Sequence, residues 1–156
     1  MKEIINREQK SDICNNILRA LPNWFGVEAS IAEYTNQVKN MPFCAVFINK
    51  EPVGFVAVKE HNQYTAEICV MGVLPNFHRQ GIGKKLICWC EVYCSANRQE
   101  FLTVKTLAES RTSKSYEKTR MFYRGMGFKP LEVFPLFWDK DNPCLFLVKY
   151  IGGSGQ

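Results

Sequence analysis

Apolar residues recur at helical intervals in two stretches near the N-terminus. The first stretch, Ser11–Leu21, carries one apolar stripe and ends before Pro22, so it predicts an amphipathic helix with Ser11 or Asp12 as its N-cap. The second, 28–39, repeats the pattern after an aromatic turn. We therefore expect two helices at the start of the chain.

Further along, short apolar segments alternate with turn residues and with two more helical patterns. Segments rich in β-branched and aromatic residues predict strands at 43–49, 53–60, 65–73, 101–107, 129–134 and 144–150, with a further short strand at 2–5. Helices are expected after the glycine turn, up to about Ala96, and over 116–126. This order predicts an α/β (α+β) class in which helices flank a mixed sheet. We expect a single domain over 1–151 and a flexible tail at 152–156.

The central stretch of the chain is a buried strand, a basic glycine turn and a long helix. Residues 78–85 read His-Arg-Gln-Gly-Ile-Gly-Lys-Lys, which suits an anion because glycine admits close backbone approach and a helix N-terminus attracts negative charge. A P-loop would need glycine in place of His78 and serine or threonine in place of Lys85. A dinucleotide fingerprint would need a third glycine at Leu86.

The turn and a later segment together resemble the Gcn5-related N-acetyltransferase (GNAT) superfamily. Val73-Leu74-Pro75 and Gly81-Ile82-Gly83 match the signature that precedes and opens the helix, and residues 120–128 resemble the FYxxxGF segment. The resemblance extends over about residues 43–150. It implies a mostly antiparallel sheet, with a splayed strand pair forming a cleft for acetyl-CoA.

The resemblance also implies which residues contact acetyl-CoA. These are Met71, Val73, His78, Arg79, Gln80, Gly81, Ile82, Gly83, Lys84, Tyr116 and Phe122. The backbone N–H of Val73 would polarise the thioester carbonyl. Two positions depart from the family pattern, because His78 stands where glutamine or arginine is usual and Tyr116 where asparagine is common.

The resemblance implies direct acetyl transfer to an amine, which requires a base and an acid. Glu67 is the candidate base, since it lies fourteen residues before Gly81, as the general-base glutamate does in histone-acetylating members. The alternative is a carboxylate in solvent or paired with a lysine. Tyr123, the tyrosine of the FYxxxGF segment, is the candidate acid for the leaving thiolate, and the alternative is that it packs beside Phe122.

Aromatic residues favour a small primary amine as the acceptor. Trp24, Phe25, Tyr34 and Trp138 are the candidate substrate-binding residues, although ordinary packing explains the first three equally well. Four carboxylates are candidates for attracting a cationic acceptor, namely Glu28, Glu33, Glu109 and Asp139. The alternatives are a protein or peptide amine as acceptor, or a CoA-binding sensor module without catalysis. A homodimer is compatible with the family.

Composition and charge limit which binding partners and which location are expected. The net charge of +5 is concentrated at 79–85 and 111–124, where CoA phosphates would lie, so nucleic acid is not expected. No apolar run approaches the roughly 20 residues of a membrane span, and the charged N-terminus does not resemble a secretory signal, so we expect a cytoplasmic protein. Cys88, Cys90 and Cys94 lack the spacing of a metal site and are expected to pack in the core.

Overall fold

A computed structural model of the chain describes residues 1–152. Its helices are α1 (Arg7–Arg19), α2 (Glu28–Gln37), α3 (Ile82–Ala96) and α4 (Lys114–Gly125), with 3₁₀ turns at Val38–Asn40 and Pro75–Phe77. Its strands are β1 (Lys2–Glu3), β2 (Phe43–Ile48), β3 (Glu51–Glu60), β4 (Thr65–Val73), β5 (Phe101–Leu107), β6 (Lys129–Asp139) and β7 (Asn142–Tyr150). The predicted tail lies outside the described residues from position 153 onward.

The strands form one seven-stranded sheet in the order β1-β2-β3-β4-β5-β7-β6. The pairs β1–β2, β2–β3, β5–β7 and β6–β7 are antiparallel. This mixed, mostly antiparallel arrangement confirms the predicted fold class. The splayed strand pair and the single domain stay predictions. Within residues 1–152, no helix combines the length and the apolar character needed to cross a bilayer.

Helix α1 begins four residues earlier than predicted. The cap is Asn6, whose side-chain oxygen accepts a hydrogen bond from the N–H of Gln9 at 2.8 Å, so the expected caps Ser11 and Asp12 lie inside the helix. Because the helix starts earlier, Lys10 lies within it and on its buried face. Lys10 is 8 % exposed, and its ammonium donates to the carbonyl of Met41 at 2.6 Å. A buried ammonium is tolerated there because it has an acceptor.

The strands predicted at 129–134 and 144–150 are both longer in the structure, where they form a long β6–β7 hairpin. β6 reaches Asp139, and the chain turns to pair Asp139 with Asn142. Pro135 is compatible with this strand because β6 lies at the edge of the sheet. Aromatic contacts across the hairpin support the extension: Phe146 lies 4.5 Å from Phe134 and 5.5 Å from Phe137 between ring centroids.

The chain divides into two compact units. The first comprises Met1–Lys59 and Ile68–Cys90, and its core joins α1 to the sheet. Gly72 shows how closely these elements approach, since a Cβ there would lie 3.0 Å from Ile17 and 3.1 Å from Leu21. The second unit comprises Glu60–Glu67 and the chain from Glu91 onward. Its buried residues include Leu102, Val104, Phe128 and Leu147.

Candidate functional site

The glycine turn before α3 presents backbone donors in the first unit. Gly81 has a φ of +79°, in the left-handed region that glycine adopts readily, and Arg79 has a φ of +61°. The N–H of Lys85 bonds to the carbonyl of Gly81 at 3.1 Å, so the N–H groups before it have no partner within the helix. The side chains of Arg79 and Lys84 are exposed. Donors and cations of this kind fit a pyrophosphate.

Close packing fixes the position of this turn. Ile82, the first residue of α3, is 4 % exposed. A Cβ at Gly54 of β3 would lie 2.9 Å from the Ile82 Cγ2 atom and 3.4 Å from the Val73 Cγ2 atom. The absence of a side chain at Gly54 therefore lets the start of the helix rest on the strand.

The structure brings three predicted site residues together: His78, Val73 and Trp24. The Nε2 atom of His78 donates to the carbonyl of Val73 at 2.7 Å, and the ring meets Trp24 edge-on at 5.9 Å. The Nε2 donor of His78 is thus engaged at the end of β4 rather than directed at a ligand. A contact between His78 and the cofactor stays a prediction, and it would have to involve ring atoms other than Nε2.

The candidate acceptor residues divide between the two units. In the first, Trp24, Phe25 and Tyr34 are half-buried and pack against the core, and the rings of Phe25 and Tyr34 meet edge-on at 6.0 Å. Trp138 belongs to β6 in the second unit, is 43 % exposed, and contacts Phe137 at 6.0 Å. Both the packing interpretation and the substrate interpretation fit the three half-buried rings of the first unit.

Glu67 is buried and paired on both oxygens within the second unit. It is 5 % exposed. His61 Nε2 lies 2.6 Å from Oε1, while the ammonium of Lys105 donates to Oε1 at 3.0 Å and to Oε2 at 2.9 Å. The lysine pairing that the sequence analysis gave as the alternative to a catalytic role is therefore observed. The catalytic role of Glu67 stays a prediction.

Sequence reasoning missed both partners of Glu67. Lys105 lies in β5, next to β4 in the sheet, and its ammonium also lies 4.9 Å from the Phe137 ring and 5.0 Å from the Phe146 ring. Such contacts favour a cation. The signal was a lysine within the apolar strand sequence FLTVKTL, because a charge in a buried strand requires a partner. His61, in the turn before β4, carried no comparable signal.

Helix α4 positions the remaining candidates in the second unit. It is capped by Ser113, whose hydroxyl accepts from the N–H of Tyr116 at 3.3 Å. Burial raises the pKa of the Tyr116 hydroxyl. Tyr123 is 6 % exposed, and its ring lies 5.4 Å from Phe122 and 5.6 Å from Phe128. Packing beside Phe122 is therefore observed, and the acid role of Tyr123 stays a prediction.

Several charges that the sequence offered for ligands are engaged within the chain. Arg120 is buried and donates to the carbonyl of Leu107 at 2.8 Å, which orders the end of β5 rather than meeting a phosphate. Each of the four candidate carboxylates contacts another side chain: Glu28 contacts Arg19, Glu33 contacts Gln37, Glu109 contacts Arg124 and Asp139 contacts Asn142. These contacts weaken the case for an acidic attraction site.

The clustered cysteines of α3 divide between core and surface. Cys90 and Cys94 are buried, and burial raises the pKa of the Cys94 thiol to about 11, whereas Cys88 is exposed. The expectation of core packing is thus confirmed for Cys90 and Cys94 and is wrong for Cys88. Among residues 1–152, no three histidine, cysteine, aspartate or glutamate side chains converge as metal ligands would.

Comparison with known families decides the identity of the fold. A family model described as an acetyltransferase (GNAT) domain matches residues 40–130, more than half of the chain. The chain belongs to the GNAT acetyltransferase family. It is thus an N-acetyltransferase with acetyl-CoA as its donor, in agreement with the glycine turn. A search of curated protein sequences found no significant match.

Solved GNAT structures share the fold at low sequence identity. The aminoglycoside 6'-N-acetyltransferase from Enterococcus faecium is 20% identical, with 94% of this chain and 93% of that chain covered and a TM-score of 0.73. The ribosomal-protein-S18-alanine N-acetyltransferase from Escherichia coli is 14% identical, with 99% and 96% covered and a TM-score of 0.77. A GNAT acetyltransferase from Elizabethkingia anophelis with acetyl-CoA bound is 18% identical, with 83% and 87% covered and a TM-score of 0.66.

Proposed function

We propose that this GNAT protein transfers the acetyl group of acetyl-CoA directly to the primary amine of a small molecule. The observation that supports this proposal most strongly is the contact of Trp24 with His78, which in turn bonds the end of β4. The contact between Trp24 and His78 places a half-buried aromatic surface beside the turn that GNAT proteins use for acetyl-CoA. Apolar and aromatic walls with few polar groups are typical of small-molecule sites.

The proposed chemistry assigns one role to each candidate. Glu67 supplies the base function, directly or through water, and Tyr123 protonates the leaving thiolate. A backbone N–H of β4 polarises the thioester carbonyl. No covalent enzyme intermediate is required.

The length of β4 limits where the thioester can lie. At about 3.3 Å per residue, Glu67 is roughly 13 Å from Met71 and roughly 20 Å from Val73 along the strand. A side chain and one water can bridge the shorter span but not the longer one. If Glu67 provides the base, the carbonyl therefore lies nearer the N–H of Met71, and Val73 contacts the pantetheine arm instead.

Binding is tested first, by thermal shift with acetyl-CoA. A hundredfold excess over Kd raises the stability of the wild type by about 2.7 kcal/mol. We expect a Gly81→Glu, Gly83→Glu double variant to lose this gain, because carboxylates at the turn repel the pyrophosphate. Gly125→Glu, at the exposed end of α4, is the control and should keep it.

The acceptor is tested by CoA release with a panel of amines. The panel contains aminoglycosides, linear polyamines, aromatic monoamines, a lysine peptide and a peptide with an N-terminal alanine. We expect turnover with a small amine that exceeds turnover with either peptide. Preference for a peptide would overturn the small-molecule assignment. Binding of acetyl-CoA without release for any amine would favour the non-catalytic sensor module.

A further inference from the structure

We infer that His78 is a positioning residue for acetyl-CoA. Its hydrogen bond to Val73 holds the backbone at Arg79 in the conformation from which the turn presents its N–H groups to the pyrophosphate. The inference deepens the proposed function, because it takes residues 78–85 as the acetyl-CoA turn. It assigns His78 a role through the backbone, in place of the direct cofactor contact that the sequence predicts. All these residues belong to the first unit.

The backbone of this turn adopts an unusual conformation at a residue that is not glycine. Arg79 has a φ of +61°, in the left-handed region, which a residue with a Cβ atom rarely adopts. Gly81, two positions later, has a φ of +79°. Successive N–H groups in turns of this kind form a concavity that binds anions. The surroundings of Arg79 must therefore hold it in a conformation that its own side chain disfavours.

The carbonyl of Val73 lies at the end of β4 and points away from β3. The N–H of the next residue, Leu74, donates to the carbonyl of Val53 in β3 at 2.8 Å. Since successive residues of a strand direct their backbone groups to opposite sides, the carbonyl of Val73 lies on the other side of β4. His78 Nε2 donates to this carbonyl at 2.7 Å. The bond therefore joins the end of the strand to the residue immediately before Arg79.

Side chains on both sides of Arg79 bond back to the segment that precedes the turn. His78 reaches back five positions to Val73. The Nε2 atom of Gln80 donates to the carbonyl of Asn76 at 3.2 Å. Arg79 thus lies between two residues whose side chains are tied to the preceding backbone. These two bonds supply the restraint that a left-handed arginine requires, and the shorter one is made by His78.

The chemistry of the acceptor fixes the donor of the His78 bond. A carbonyl oxygen only accepts hydrogen bonds, so the proton of the 2.7 Å contact is on Nε2. The neutral imidazole in this tautomer and the imidazolium both carry that proton, so either form of the ring makes the bond. Trp24 meets the ring edge-on at 5.9 Å between centroids and limits its rotation. His78 therefore holds the turn whether or not its ring is charged.

The test is the Kd for acetyl-CoA, measured by calorimetric titration. His78→Leu removes the donor, and we expect Kd to rise about tenfold, which corresponds to the loss of one hydrogen bond. His78→Gln should restore binding, because its amide nitrogen lies the same number of bonds from Cα as Nε2. His78→Asn, whose amide is one bond shorter, should bind as weakly as His78→Leu. Because His78 is exposed, all three variants should keep the Tm of the wild type.

Asn76→Ala is the matched control. Its side chain is exposed, and the substitution keeps the backbone carbonyl that Gln80 uses, so it should bind acetyl-CoA as the wild type does. A His78→Gln variant that binds as weakly as His78→Leu would show that the Nε2 donor is not what matters, which overturns the inference.

Two variants of Arg79 distinguish a role through the backbone from a direct contact with phosphate. Arg79→Ala and Arg79→Gly both remove the charge, but only glycine adopts the left-handed region readily. Adding His78→Leu should therefore raise Kd about tenfold beside Arg79→Ala and less than about threefold beside Arg79→Gly. Equal factors in the two backgrounds would show that His78 acts independently of the backbone at Arg79, which contradicts the inference.

The ratio of Kd between His78→Leu and the wild type gives a second test. Because either form of the ring donates to Val73, the ratio should be equal at about pH 6 and about pH 8, values between which the charge of a histidine changes. A ratio that is large at the lower pH and close to one at the higher pH would mean that the imidazolium contacts the phosphate, and the inference would fail.

The outcomes separate the inference from the function on which it rests. If the Gly81→Glu, Gly83→Glu double variant keeps the wild-type affinity for acetyl-CoA, the cofactor site assumed by both proposals is wrong. If that double variant loses affinity while His78→Leu binds as tightly as the wild type, the inference fails and the acetyltransferase proposal is left intact.

Discussion

The glycine turn and the Glu67 cluster, both candidate parts of the active site, are built by opposite means. Residues 78–85 form a mostly exposed turn in which backbone N–H groups and a positive φ at Gly81 provide the geometry, while Ile82 is buried. The Glu67 cluster is a largely buried site in which three side chains from separate segments satisfy one another. The glycine turn depends on local backbone conformation and the Glu67 cluster on pairing between side chains. Substitutions in the turn should therefore act through backbone strain, and substitutions in the cluster through an unpaired buried charge.

The largest effect is expected from Lys105→Met. This substitution leaves the carboxylate of Glu67 buried without its ammonium, and breaking a buried pair costs about 3 kcal/mol. For a chain of this length the loss lowers Tm by roughly 6 to 12 °C. Urea unfolding and calorimetry measure it.

The matched control for that experiment is the double variant Lys105→Met, Glu67→Gln. Because the stranded charge is removed as well, most of the lost free energy of unfolding should return. A double variant as unstable as Lys105→Met alone would show that packing on Phe137 and Phe146, rather than charge pairing, stabilises the cluster.

A smaller and purely conformational effect is expected from Gly81→Ala. No atom lies within 4 Å of a Cβ at Gly81, so the substitution tests its φ of +79° alone and should cost about 1 kcal/mol of stability. The Kd for acetyl-CoA should rise as well. Gly125→Ala is the control, since its Cβ also meets open space within α4, and there alanine should stabilise by about 0.5 kcal/mol. Equal effects at both glycines would contradict the conformational account.

The smallest effect concerns alkaline pH. Burial, opposed by Lys105 and aided by Glu67, raises the pKa of the Cys144 thiol from the 9.0 of a solvated thiol to about 12. A folded-state pKa above the unfolded value stabilises the fold below pH 9, and this contribution is lost as pH rises towards 12. Between pH 8 and 10 the loss is about 1 kcal/mol.

This prediction is checked by urea unfolding under reducing conditions at both pH values. Cys144→Ala should show a shallower fall in stability with pH than the wild type, whereas Cys88→Ala, at an exposed position, should fall as steeply as the wild type. Parallel curves for wild type and Cys144→Ala would mean that the thiol ionises equally in both states.

Local sequence patterns correctly predicted the elements whose bounds depend on neighbouring residues alone. The bounds of β4 and β5 agree with the predictions, because both strands are runs of apolar residues ended by strong signals. The start of α1 and the β6–β7 hairpin were not predicted. An asparagine cap before a charged first turn was overlooked, and a proline in β6 is acceptable only because the strand lies at the sheet edge.

By itself the sequence determined the glycine turn, the FYxxxGF segment and hence the GNAT family, because such motifs are contiguous and act through backbone geometry. It also indicated Glu67 as a candidate base, a role that stays a prediction. Only the tertiary structure decided what Glu67 contacts: His61 and Lys105 are separated by forty-four positions in the chain, and they meet the carboxylate because the β3–β4 turn and β5 lie beside β4. Pairing across a sheet follows from strand order, which no local pattern encodes.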